Sequence, residues 1–286
     1  MSRFSTLGTR ALTATIFALV MLGGIYFSKI SFLILFAVIL FLGLKELFQL
    51  SFYKDEIAKN KYAWFGPILC ISPFIMISLQ KLEMVHIPGS GFSYLLLFGF
   101  PVFIAFIFEL LAIGMQDFSR ISKIALGILY LTFPTCLLAD LAIYQGQFHP
   151  MLVLGLLFLI WINDTGAYFV GSGFGKRKLY PSISPGKSWE GSIGGAIITL
   201  IVAGFFPKIF GEYGSTDWII LGMIAIVFGT MGDLVESMLK RNVGVKDSGD
   251  MMPGHGGVLD RFDAFIFLIP FVYLYISYLR FQGNTP

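Results

Sequence analysis

Asp233, Glu236, Ser237 and Lys240 follow one another at steps of three, one and three, which places all four on one stripe of a helix. Two carboxylates, a hydroxyl and an ammonium so arranged can hold a metal ion and a phosphate side by side. Asp260 and Asp263 repeat the theme further on, three residues apart, with Arg261 between them. Two carboxylates one turn apart suit a hard cation such as Mg2+, which takes oxygen ligands and commonly bridges to substrate phosphates.

The two stripes are joined by Lys246-Asp247-Ser248-Gly249-Asp250 and Pro253-Gly254-His255-Gly256-Gly257. Three glycines around a single histidine make a segment that turns tightly and lets its backbone approach a ligand. With neither Cys nor a second His nearby, His255 is a poor zinc ligand. The surrounding acids and bases favour a phosphate contact or a proton-handling role over a merely exposed ring. A salt-bridged surface loop would account for the four basic and four acidic residues between Lys240 and Asp263. It would not account for acids that continue as one-turn pairs into the flanking hydrophobic helices, where desolvation is costly.

A second region lies upstream. Asn163, Asp164 and Tyr168 fall near the end of an apolar run, with Asp164 and Tyr168 four apart on one helix face. The run leads into a stretch in which Lys176, Arg177, Lys178 and Lys187 alternate with Gly171, Gly173, Gly175 and Gly186. Mobile backbone amides and cations together are what anion binding requires, although the same cations would also serve lipid headgroups. Neither soluble nucleotide motif is complete. Gly186-Lys187-Ser188 lacks the upstream glycine of a P-loop, Pro181 standing in its place, and Lys176 occupies the third glycine position of a dinucleotide fingerprint.

The elements that must carry these residues are membrane helices. Apolar residues make up 56% of the chain and charged ones 13%, a balance foreign to soluble domains of this length. A hydrocarbon core of about 30 Å needs roughly 20 apolar residues per span. Nine runs of about that length occur, near 11–27, 30–48, 63–80, 93–114, 124–144, 150–171, 189–209, 217–236 and 262–281. The pattern predicts an all-α integral membrane protein with nine transmembrane helices, the N-terminus cytoplasmic and the C-terminus outside. That orientation puts sixteen of the twenty basic residues on the inside, leaving only Lys29, Lys81, Lys208 and Arg280 out. The net charge of +3 thus conceals a topological asymmetry and is no sign of nucleic acid. Cys70 and Cys136 fall within spans and read as packing residues. The first span, long and without a convincing cleavage site, reads as retained rather than as a signal peptide.

The division by charge is sharp. Residues 1–115 read as a hydrophobic helical scaffold, with polar groups mainly in loops and Lys45, Glu46 and Glu109 near span ends. Residues 116–286 read as the catalytic region, with cytoplasmic loops 172–188 and 238–261. From Asp140 onward ionisable residues enter the spans, which by default marks a site, a pathway or a paired interior charge.

The run Ser237-Met238-Leu239-Lys240-Arg241, then Lys246-Asp247, then His255-Gly256-Gly257-Val258-Leu259-Asp260-Arg261-Phe262-Asp263 closely resembles the defining motif of the phosphatidate cytidylyltransferases. Ser184-Pro185-Gly186-Lys187-Ser188-Trp189-Glu190-Gly191, Asn163-Asp164-Thr165 and Gly232-Asp233-Leu234-Val235-Glu236-Ser237 resemble further family segments. The departures are conservative: Met252 where the family usually has Leu, Ile or Phe, and Ser188 where Thr is more usual. The resemblance covers residues 161–264.

What it implies is a multi-pass, homodimeric enzyme of the bacterial plasma membrane, active on the cytoplasmic side. Such an enzyme joins CMP from CTP to phosphatidate and releases pyrophosphate, using Mg2+ with room for a K+ partner. On that basis Asp233, Asp260 and Asp263 are the expected metal ligands, with Asp164 and Asp247 as further candidates. Lys240, Arg241, Lys246 and Arg261 are expected to hold phosphates, and Lys187 the triphosphate or the phosphatidate head. Ser237 and Ser188 support them, and Asn163, Glu190 and Glu236 complete the substrate-binding set. The acidic stripes, Asp233 with Glu236 and Asp260 with Asp263, are expected to face each other across the glycine-histidine turn. A CTP-dependent polyprenol or phytol kinase would share the cytidine nucleotide but release CDP. An ion-coupled transporter would place its acids near span centres, whereas most here lie at span ends. The aspartate-rich motif of the CDP-alcohol phosphatidyltransferases is not found.

Overall fold

The computed structural model describes residues 3–88, 91–113, 119–249 and 256–283. Where hydrocarbon offers no partner for backbone N–H and C=O groups, only structures that satisfy them internally can persist, and the apolar runs are indeed helices. In order they are α1 (Arg3–Tyr26), α2 (Lys29–Ser51), α3 (Glu56–Lys81), α4 (Gly91–Phe108), α5 (Ser119–Gly127), α6 (Phe133–Ala142), α7 (Pro150–Phe174), α8 (Trp189–Ala203), α9 (Pro207–Phe210), α10 (Ser215–Ile224), α11 (Thr230–Asn242) and α12 (Leu259–Phe281). Single wide π turns continue α4 through Ile113, join α5 to α6 and join α10 to α11.

Among the described residues, seven helices are long and apolar enough to cross a membrane: 29–51, 56–81, 93–111, 119–142, 150–174, 215–242 and 259–281. Leu12–Tyr26 and Trp189–Ala203 are shorter apolar helices. The protein is therefore an all-α membrane protein in its main architecture. Two details differ from the hydropathy reading. The run expected over 189–209 breaks after Ala203 and resumes only as α9, whose first residue, Pro207, has no N–H to continue a helix. The loop expected over 172–188 is helical to Phe174 and then forms a two-stranded antiparallel ribbon, Lys178–Tyr180 against Ser184–Ser188.

Helix starts follow the local chemistry. Ser28 and Ser31 bond reciprocally in a capping box at α2, Asp55 accepts the Ala58 N–H at α3, and Ser188 accepts the Gly191 N–H at α8. The chain divides into two compact units, Met1–Gly146 with Asp247–Asp260, and Gln147–Lys246 with Arg261–Pro286. This division rests on contacts, a different ground from the placement of charge that separates 1–115 from 116–286.

In the first unit Phe48 fills the space left by Gly66 and Gly127, where an added Cβ would come within 2.7 Å and 2.9 Å of its ring. Tyr62 stacks on Phe52 at 5.0 Å, and its hydroxyl donates to Glu109 at 2.7 Å. Arg120 bridges Glu109 and Asp55, at 2.8 Å each. Glu109, near the end of the span 93–111, is thus an interior charge held by a network. Asp140, on the helix 119–142, pairs with Lys81.

In the second unit α7 and α8 approach through glycines. A Cβ on Gly195 would lie 2.7 Å from the Asn163 carbonyl oxygen, and one on Gly191 2.7 Å from that of Ala167. Small residues four apart let membrane helices close to backbone contact. Trp218 is fully buried, with its ring against Gly155, and Phe228 stacks on Phe271.

Candidate active site

Six charged residues of the second unit, Asp164, Lys187, Asp233, Glu236, Lys240 and Asp263, form one cluster. Gly232 sets it up, because a Cβ there would lie 2.7 Å from both the Asp263 carbonyl oxygen and the Phe267 Cβ. α11 and α12 therefore touch at backbone level beside Asp233 and Asp263. On α11, Ser237 Oγ donates to Asp233 Oδ1 at 3.3 Å, and Lys240 Nζ meets Glu236 Oε2 at 2.5 Å, one turn on. From the ribbon, Lys187 Nζ reaches Asp233 Oδ2 at 2.6 Å. Asp263, 7% exposed, feels the charges of Asp233, Lys187 and Lys240, and Asp164 those of Lys187 and Asp233.

The cluster thus brings four carboxylates, Asp164, Asp233, Glu236 and Asp263, against two ammonium groups, Lys187 and Lys240. When all are ionised the excess is two negative charges, which a divalent cation would balance. Among the described residues no three His, Cys, Asp or Glu side chains converge closely enough to hold an ion by themselves. Mg2+ is commonly bound by one or two carboxylates together with substrate phosphates and water, so Asp233 and Asp263 fit such an ion. Asn163 adds a feature of its own. It is 6% exposed, and its side-chain oxygen has no hydrogen-bond partner among the described residues, a costly state that a ligand's donor or a cation would relieve.

Several expected ligands prove to bind the protein's own backbone. Ser188 caps α8. Glu190 accepts the Lys176 N–H at 3.0 Å and the Arg177 N–H at 3.1 Å, pinning the start of the ribbon. Arg241 donates to the carbonyls of Ile183 and Val245, both at 3.3 Å, tying the ribbon's turn to the end of α11. Lys246, Asp247 and Arg261 are exposed. His255 and Asp250 lie outside the described residues.

The pair Asp260 and Asp263 divides. Asp263 belongs with the cluster, whereas Asp260, in the first unit, accepts the N–H groups of Ser248 at 3.0 Å and Gly257 at 2.8 Å through Oδ2. Gly256 makes that turn possible, with φ +81° and an added Cβ only 2.5 Å from the same oxygen. The residue that sequence reasoning missed is Glu46. Its buried carboxylate on α2 accepts Ser248 Oγ at 2.9 Å and the N–H groups of Val258 at 2.9 Å and Leu259 at 2.8 Å. The only signal for it was an acid, beside Lys45, near the end of a largely apolar run.

Paired acids and lysines on membrane helices and an adjoining ribbon suit phosphorylated ligands, the chemistry of a phosphate-handling membrane enzyme. The model of the cytidylyltransferase family matches residues 8–279, nearly the whole chain. The chain is similar to the phosphatidate cytidylyltransferase of Bacillus subtilis, with 37% identity over 231 residues, 72% of this chain and 85% of that protein. It is similar to that of Staphylococcus saprophyticus, with 34% identity over 269 residues, 91% of this chain and 95% of that protein. A shorter match, 49% identical over 133 residues, links it to the Haemophilus influenzae phosphatidate cytidylyltransferase, covering 45% of each chain. The chain belongs to the cytidylyltransferase family.

Proposed function

We propose a division of labour for the reaction of this enzyme, the transfer of CMP from CTP to phosphatidate, giving CDP-diacylglycerol and pyrophosphate. The observation that carries it is the cluster of Asp164, Lys187, Asp233, Glu236, Lys240 and Asp263, whose acids exceed its bases by two. Asp233 and Asp263 are the residues to hold Mg2+, with K+ as a companion cation. A divalent ion supplies charge that offsets the negative charge spreading onto the leaving pyrophosphate.

The attacking oxygen of phosphatidate is already ionised at neutral pH, so no general base is required. The protein's task is to bring two polyanions together in line. Lys187 is partly exposed and exchanges Asp233 for a phosphate oxygen of CTP. Lys246 and Arg261, both exposed, steady the remaining phosphates. Lys240 stays with Glu236 and screens Asp263. Asp260 anchors the backbone at Ser248 and Gly257, and Arg241 and Glu190 hold the ribbon that presents Lys187.

The finer topology is part of the same proposal. Counting the two shorter apolar helices with the seven longer ones gives nine crossings, the N-terminus cytoplasmic and the site on the cytoplasmic side of a bacterial plasma membrane. A homodimer is the expected assembly.

The test is to incubate the purified chain with α-labelled CTP, phosphatidate and Mg2+. Label should enter the lipid phase with an equal amount of pyrophosphate, chelation should abolish the transfer, and added Mg2+ should restore it. Labelled CDP left in water, with phosphate on the lipid, would mean γ-phosphate transfer and overturn the reading.

A further inference from the structure

The segment Asp247–Asp260 is fastened at both of its described ends to a side chain more than 200 residues away in sequence. Glu46 is 4% exposed, on α2, in the part of the chain that otherwise reads as scaffold. Its Oε2 accepts the Ser248 hydroxyl at 2.9 Å and the Leu259 N–H at 2.8 Å, and its Oε1 accepts the Val258 N–H at 2.9 Å. Leu259 is the first residue of α12, so the carboxylate caps that helix from outside its own sequence, where the free N–H groups and the helix dipole favour a negative charge. The backbone closes on it tightly. A Cβ on Gly257 would lie 2.4 Å from Oε2, and one on Gly249 2.8 Å from Oε1. Bonds from buried donors to an ionised acceptor are short and strong, and no other side chain joins Ser248 to Val258 and Leu259 among the contacts described.

We infer that Glu46 is a positioning residue for cytidylyl transfer: its carboxylate fixes Ser248 and the backbone at Val258 and Leu259, and with them the first turn of α12, the helix on which Arg261 and Asp263 ride. The inference rests on the proposed reaction. It explains a carboxyl group buried far from the charge cluster in sequence. It also explains glycine at 249 and 257, since any side chain there would push the segment off the carboxylate. Glu46→Gln keeps shape and one acceptor oxygen but turns an NH2 group toward one of the two backbone donors, so the segment must shift.

The experiment uses the full chain in detergent, as wild type, Glu46→Gln, Ser248→Ala and the double variant. It measures kcat and the KM for CTP and for phosphatidate per folded, monodisperse molecule, together with amide exchange over residues 256–259. For Glu46→Gln, kcat is expected to fall at least tenfold, the KM for phosphatidate to stay within threefold, and exchange to quicken. Ser248→Ala should show a smaller loss in the same direction, and in the Glu46→Gln background it should cost nothing more. Wild-type kcat in Glu46→Gln, or a loss that only tracks the folded fraction, would overturn the inference. If Glu46→Gln does not fold, Ser248→Ala decides: quicker exchange with unchanged kcat makes the clasp structural only. A wild type that labels no lipid would count against the reaction itself, apart from Glu46.

Discussion

Lys187 Nζ stands 2.6 Å from Asp233 Oδ2, so a lysine at the edge of a short ribbon and the first acid of α11 hold each other. Each is also what a nucleotide and its metal would use. In the proposed reaction, a cation that neutralises Asp233 before substrate arrives would keep the acid from repelling a triphosphate and would then turn to a phosphate oxygen itself.

Lys187→Gln should therefore impair the chemistry more than the fold. Loss of one preorganised cation at developing charge costs on the order of a hundredfold, so kcat/KM for CTP should drop by about that factor while thermal unfolding in detergent moves little. The labelled-CTP assay beside a melting curve checks this. A large fall in melting temperature with activity per folded molecule preserved would assign the pair to stability instead.

Gly232 offers a contrast between crowding and open space. Its missing Cβ is what lets α11 reach the Asp263 carbonyl and Phe267, so Gly232→Ala must separate the helices, an overpacking cost of about 1–3 kcal/mol, and should lower activity by moving Asp233 away from Asp263. Gly99, with nothing within 4 Å of an added Cβ, should accept alanine with melting temperature and activity unchanged. Paired melting curves and assays of the two variants give the comparison.

The stripe Asp233, Glu236, Ser237 and Lys240 was legible because helical spacing alone puts those residues together, and a helix of that register formed. The spans were legible because the bilayer demands long apolar runs. What spacing could not show is which partner each charge takes. Glu190 and Ser188 match the family pattern, yet they bond the backbone of their own ribbon and helix, a local arrangement that residue type does not distinguish from ligand binding. Asp260 and Asp263 share a face by count, but a turn opened by the positive φ of Gly256 draws Asp260 onto the amides of Ser248 and Gly257. Glu46 was illegible because its partners come from the other end of the chain.

The network around Arg120 makes a prediction about interior charge. Glu109 is fully buried and takes its bonds from Tyr62 and Arg120. Removing one partner of a buried ion pair leaves an uncompensated charge and costs about 3–5 kcal/mol. Arg120→Met should destabilise the chain by about that amount, and adding Glu109→Gln should recover part of it. Denaturation of the two variants in the same detergent shows whether the second substitution raises the midpoint.

Asp55, on the loop before α3, ties this network to pH. Burial on its own would raise the carboxyl, but the Ala58 N–H, the bond and charge of Arg120, and the charge of Lys123 together outweigh it and hold Asp55 below its ordinary value. A carboxylate depressed in the folded state contributes stability above its unfolded pKa and loses it as the pH falls through the folded one. The melting temperature of the wild type should thus decline as pH drops below about 4, and Asp55→Asn, less stable at neutral pH, should lose less over the same window. Melting curves from pH 7 to pH 3 give the comparison, and parallel curves for the two proteins would remove Asp55 from the network's balance.

The proposed orientation is open to a labelling test that needs no activity. Cys70 and Cys136 are buried, so a membrane-impermeant thiol reagent should find little background. With the N-terminus inside, the ribbon faces the cytoplasm and the turn after α3 faces out. Lys178 and His86 are both exposed on the chain, and each sits on one of these two segments. Lys178→Cys should react in inside-out vesicles and stay silent in intact cells, and His86→Cys should do the reverse. Reaction of both from the same side would require an even number of crossings between them, which contradicts the odd number, three, that α4, the helix 119–142 and α7 supply. Reversal of both would keep the span count and turn the protein over, placing the lysine that meets Asp233 on the side of the membrane where CTP is scarce.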